Sequence, residues 1–149
     1  MMMIKKQTKF YKLLMGYWFL VPALFLAYTG LTCLKQAISF QELLTTTPTF
    51  SVGFLISCVM LVMGLMLVKV DKSNASRKSI FGKFILFSIV QQIMTFNIVG
   101  VILSGLTFYS LSHTSSENES LTLSTKIVMG LILVLSLLMG LISFNVFNK

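Results

Sequence analysis

The chain has 149 residues, of which 56% are apolar and only 11% charged. A soluble domain of this size needs far more charge to cover its surface, so a soluble globular fold is excluded and a bilayer protein is indicated. The net charge of +8 is no nucleic-acid signal, because the twelve basic residues adjoin apolar runs and form no folded basic face.

The first apolar run, Leu13 to Leu34, follows the basic start MMMIKKQTKFYK. It exceeds the roughly 7–15 residues of a signal-peptide core and no small-x-small cleavage site follows, so it reads as an uncleaved helix. Tyr17 and Trp18 suit the inner headgroup layer, which extends the span to about residue 37, and Pro22 is its candidate kink. The segment KQAISFQELLTTTPT comes next; Ile38, Leu43 and Leu44 among polar residues predict a short helix in the outer interface.

The second run is Thr49 to Val70, with Pro48 at a first-turn position and Thr45, Thr46 and Thr47 able to cap it. The turn KVDKSNASRKSIFGK leads to the third run, Ile80 to Tyr109. Its length of about 30 residues exceeds the roughly 20 needed to cross hydrocarbon, which predicts tilt or projection of the turn carrying Lys83 into the headgroups. A polar segment, SLSHTSSENESLTLST, precedes the fourth run, Lys126 to Phe147. The sequon Asn118-Glu119-Ser120 within it has meaning only in a eukaryotic secretory pathway. The expected fold class is therefore all-α: an integral membrane four-helix bundle, one domain, with spans near 13–37, 49–70, 80–109 and 126–147.

The basic residues sort by side. Lys5, Lys6, Lys9, Lys12, Lys69, Lys72, Arg77, Lys78, Lys83 and Lys149 make ten on one face, against Lys35 and Lys126 on the other. The positive-inside rule then puts both termini in the cytoplasm of a multi-pass plasma-membrane protein, with anionic lipids drawn to Lys69, Lys72, Arg77, Lys78 and Lys83. One arginine against eleven lysines, with many Ile, Asn and Phe residues, associates with an AT-rich bacterial genome.

Helices in lipid associate by close approach at small residues and by interhelical hydrogen bonds. The first span groups Gly16, Ala23, Ala27 and Gly30 in one sector. The second has Gly53-x-x-x-Ser57 leading to Gly64, and the fourth Ser136-x-x-x-Gly140 leading to Ser143. On the third, Ser88, Gln92 and Thr95 share a sector with Gln91 at its edge, while Asn97, Gly100, Ser104 and Thr107 share one nearly opposite. If that helix is a straight rod, one stripe faces the bundle interior and the other a partner or cavity; the alternative is that both pair internally, through tilt and bonds to backbone carbonyls. An unpaired carboxamide in lipid costs several kcal/mol, so both stripes must find partners.

The remaining chemistry is sparse. No ionisable residue lies deep in a span, which argues against proton coupling. Ser and Cys occur without a buried base, and Gly-rich phosphate cradles are absent, so a non-enzymatic protein without cofactors is expected. Cys33 and Cys58 read as apolar packing groups, with a disulfide between them as the alternative. Met60, Met63 and Met66 read likewise as packing, with a copper site as the alternative. His113 with Glu117 and Glu119 reads as a solvated loop, with weak metal binding as the alternative.

The segment TGLTCLKQAISF, where Gly30 and Lys35 precede an outer segment, followed by VMGLMLVKV running into a basic turn, resembles small four-helix bacterial membrane proteins of the DoxX type. The likeness covers about the first 80 residues. It implies an accessory role beside a sensor kinase or a redox complex; the charged residue such proteins carry in their early spans is missing here.

The leading expectation is an accessory subunit that binds a larger membrane protein, such as a sensor kinase, transporter or secretion complex, through intramembrane helix faces. The residues expected to carry it are Gln91, Gln92, Thr95, Asn97, Gly100, Ser104, Gly53, Ser57, Ser136 and Gly140. One alternative is a small homo-oligomeric channel or carrier for a neutral solute or lipid. Another is an immunity protein that shields a membrane target from a bacteriocin, with residues 110–125 as its outer recognition loop.

Overall fold

The computed structural model describes residues 2–70, 76–112 and 120–147, with the side chains of 2–8 and 146–147 excepted. Lys72, Lys149, His113, Glu117, Glu119 and the sequon asparagine therefore lie outside the described residues. The chain forms six helices: α1 Met2–Gln36, α2 Phe40–Thr46, α3 Pro48–Lys69, α4 Ile80–Met94, α5 Ile98–Ser110 and α6 Leu123–Phe147. Three stretches, Lys9–Gln36, Pro48–Lys69 and Leu123–Asn145, are long and apolar enough to cross a bilayer, whereas α4 and α5 are shorter apolar helices.

The third run is thus not one rod. It breaks at Thr95-Phe96-Asn97 and folds back on itself. The backbone N–H of Arg77, just before α4, donates to the carbonyl of Ser112, just after α5 (3.2 Å). In a continuous helix those positions would sit about 50 Å apart at 1.5 Å per residue. At the far end, the Gly100 backbone lies directly against the Gln92 side chain. The segment is therefore an antiparallel helical hairpin with both ends at the same end of the molecule.

The main interhelix contacts link α1 to α3, α3 to α6, α6 to α4, α4 to α5 and α5 back to α1. α1 and α3 are antiparallel: Phe19 covers Gly64 and Phe25 covers Gly53. α6 runs parallel to α4, since Gln91 meets Ser136 and the Met94 carbonyl meets Gly140. Tyr11 and Trp18 of α1 meet Phe81 and Phe84 of α4 edge to face, which places the start of α4 beside the first half of α1. Hence the last turns of α6 lie at the end opposite that half of α1. This differs from the expectation that both chain ends share a face, and the reason is the hairpin: a segment that returns to its own end leaves an odd number of helices long enough to cross a bilayer.

The core collects at the basic end, where five helices pack. Trp18, Leu14, Met63, Leu67, Phe84 and Ile85 are fully buried there. Ser39 caps α2 by accepting the Glu42 N–H (3.1 Å), and Leu43 of α2 is buried. Thr47 is the N-cap residue of α3 but makes no side-chain cap bond; Pro48 at the first turn has no N–H to satisfy. The α1 helix runs through Pro22 without interruption. Cys33 and Cys58 are both free thiols.

Candidate functional site

The hairpin tip is built by backbone chemistry that usually requires glycine. Phe96 adopts φ 54°, in the left-handed region. The Phe96 N–H donates to the Ile93 carbonyl (3.1 Å) and the Asn97 N–H to the Gln92 carbonyl (2.9 Å). This pair of bonds is the Schellman ending of a helix, with phenylalanine where glycine normally stands. Left-handed backbone costs a non-glycine residue about 1–2 kcal/mol, so surrounding contacts must hold it.

Asn97 supplies those contacts. Its Oδ1 accepts the Gly100 N–H (3.0 Å), which makes Asn97 the N-cap of α5. The same oxygen accepts the hydroxyl of Tyr17 on α1 (2.5 Å), and its Nδ2 points at the Met60 sulfur on α3 (3.8 Å). One carboxamide therefore ends one helix, starts the next, and ties the turn to two neighbouring helices. Met60 and Met63 are buried packing side chains around this junction.

The two polar stripes of the third run meet because the helix breaks between them. Ser88, Gln91, Gln92, Thr95, Ser104 and Thr107 are all buried, and Gly100 is pressed against Gln92. The expectation that one stripe of a straight rod faces a partner or cavity therefore does not describe this arrangement. Gln91 Nε2 donates to Ser136 Oγ on α6 (3.2 Å), while the Thr95 hydroxyl turns back to the Gln91 and Gln92 carbonyls (3.3 Å each). Gln92 is fully buried with neither amide atom hydrogen-bonded, and Ser104 Oγ and Trp18 Nε1 are likewise unsatisfied.

The small-residue faces divide. Gly53 receives the Phe25 ring, which would stand 2.6 Å from an added Cβ, and the buried Ser57 bonds back to the Gly53 carbonyl (2.8 Å). Gly140 and Ser136 accept the hairpin. By contrast Gly16, Ala23, Ala27 and Gly30 are exposed, and nothing lies within 4 Å of a Cβ placed at either glycine.

At the base of the hairpin stands Arg77, the only arginine. Its guanidinium lies over the Phe108 ring (5.3 Å) and donates to the Tyr109 carbonyl (3.4 Å). Lys69 and Lys78 are exposed, and Lys83 is half-buried. No group of His, Cys, Asp and Glu capable of holding a metal occurs among the described residues.

Above the tip, a cleft of about 520 Å³ lies between α1, α3, α6 and the α4–α5 turn, lined by Phe25, Thr49, Val52, Gly53, Ile56, Thr95, Phe96, Ser143 and Phe144. Hydropathy and spacing do not reveal it, because it exists only where the third run stops short. Comparison with protein-family models, curated proteins and solved structures finds no match.

Proposed function

We propose that the chain is a non-enzymatic accessory subunit of a cell membrane, built of three crossing helices and a hairpin too short to cross, that binds a larger integral membrane protein through α1. The observation that carries this reading is the division of the helix faces. The polar groups of the hairpin are turned inward, while Gly16, Ala23, Ala27 and Gly30 form an uncovered face. At these small residues another helix can approach the α1 backbone closely, which is how helices associate in lipid. A sensor kinase, a transporter or a secretion complex fits as partner.

The hairpin keeps the charge asymmetry. By the helix end that each adjoins in sequence, Lys5, Lys6, Lys9, Lys12, Lys69, Lys72, Arg77, Lys78, Lys83 and Lys126 make ten at one end, against Lys35 and Lys149 at the other. That end faces the cytoplasm on the positive-inside rule, where it attracts anionic lipids. On that orientation α5 ends and α6 begins at the cytoplasmic end, opposite to the side on which residues 110–125 were expected.

Purification in mild detergent tests the role. Gly16→Leu with Gly30→Leu is expected to abolish recovery of the partner while leaving thermal stability unchanged. Recovery of the wild-type chain alone, or undiminished partner recovery with the double variant, refutes it.

A further inference from the structure

We infer that the cleft above the hairpin tip is a binding site for one acyl chain of a bilayer lipid. The 15 residues of α4 reach roughly 22 Å at 1.5 Å per residue, short of the roughly 30 Å of hydrocarbon. At the basic end five helices close a ring; beyond Phe96 the long helices α1, α3 and α6 continue, with the short α2 packed on α1 and α3. The space that α4 and α5 vacate is the cleft, and its walls come from three helices long enough to cross the bilayer. In a bilayer, walls of this kind would adjoin hydrocarbon.

The floor of the cleft is dry by construction. Irregular backbone at membrane depth normally needs protein cover or water. Here the N–H groups of Thr95, Phe96, Asn97 and Ile98 donate to the carbonyls of Gln91, Ile93, Gln92 and Phe96 at 2.9–3.2 Å. The Thr95 hydroxyl is satisfied as well. The N–H groups of the turn therefore ask for no water, and Phe25, Val52, Ile56, Phe96 and Phe144 present apolar walls beside the hydroxyl residues Thr49 and Ser143. Phe96 is 66% exposed and Phe144 61%, so the walls are continuous with the lipid-facing surface. The strained left-handed Phe96 is what turns an aromatic ring toward this space; a glycine there would relieve the backbone and remove the wall. The volume of about 520 Å³ falls within the roughly 300–1,000 Å³ of ordinary small-molecule sites. The site requires only the hairpin and stands independently of the accessory role.

Native mass spectrometry of the full chain tests it, after extraction from nanodiscs of phosphatidylethanolamine and phosphatidylglycerol. The expected result is one phospholipid retained per chain. Val52→Trp, which fills the cleft, is expected to lower the apparent affinity about tenfold or more, equivalent to about 1.4 kcal/mol. Gly130→Leu, at an exposed position with nothing within 4 Å, serves as the lipid-facing control and leaves retention unchanged. Thermal unfolding of each variant separates loss of lipid from loss of fold; if Val52→Trp does not fold, Phe144→Ala, which removes a wall, must lower retention instead. No retained lipid, equal retention in a folded Val52→Trp chain, or a second copy bound in place of lipid overturns the inference.

Discussion

Asn97→Ala removes three things at once: the acceptor for the Gly100 N–H, the acceptor for the Tyr17 hydroxyl, and the contact with Met60. Loss of an N-cap costs about 1 kcal/mol. A fully buried hydroxyl left without its acceptor would cost a further 1–3 kcal/mol or so, and Tyr17 is only half-buried. Hydrogen bonds between membrane helices average only about 0.6 kcal/mol, because the unfolded chain finds partners too, so the lower end applies and the total is about 2 kcal/mol. Tyr17→Phe should cost much less, about 0.6 kcal/mol, because Asn97 Oδ1 keeps the Gly100 N–H. The double variant should cost little more than Asn97→Ala alone. Trp18, the only tryptophan, is fully buried and packed edge-on against Phe84, so its fluorescence during denaturing-detergent titration reports docking of the hairpin. If Asn97→Ala costs no more than Tyr17→Phe, Asn97 does not cap α5 and the description of the tip is wrong.

Other perturbations probe other parts of the hairpin. Gly140→Val drives a side chain into the Met94 carbonyl and should cost about 1–3 kcal/mol by overpacking, whereas Gly130→Ala should be neutral or slightly stabilising in the same titration. Gln92→Met keeps the shape while deleting two buried unsatisfied atoms, and should raise stability by about 1 kcal/mol; a loss would mean that the amide has a partner. Arg77→Ala should loosen the hairpin base, seen as faster hydrogen exchange at residues 108–112 with α6 unaffected; equal protection in both chains would remove Arg77 from that role.

Hydropathy made most of the fold legible. It located α3, α6 and the end of α1 to within a few residues, because each must present about 20 apolar residues to hydrocarbon, but not the start of α1, which begins at Met2, ahead of the apolar run. The short helix α2 was also visible, in Leu43 and its polar neighbours. The break in the third run was not, because Thr95-Phe96-Asn97 contains neither Gly nor Pro, and a hydropathy window does not register dihedral angles. Two signals were nonetheless present. A run of about 30 apolar residues is too long for one upright span, yet divides into two helices each too short to cross. The amide and small-residue stripes lay on opposite sides of an imagined rod, and folding the rod at Asn97 brings them face to face. The Gly53 and Ser136–Gly140 faces were recognisable as packing surfaces, but spacing alone could not tell them from the Gly16–Gly30 face that stays uncovered. That distinction depends on which bulky residues, such as Phe25 or the hairpin itself, arrive opposite.

The return of the hairpin to its own end is the central claim, and a cross-link tests it most directly. With Cys33 and Cys58 replaced by alanine, Ser76→Cys and Ser112→Cys place two thiols at paired backbone positions. Rapid intramolecular disulfide formation under mild oxidation in native membranes is the expected result. A pair that does not cross-link, with the thiols at positions 76 and 112 labelled by impermeant reagents from opposite sides of the membrane, would show a further crossing helix in place of the hairpin.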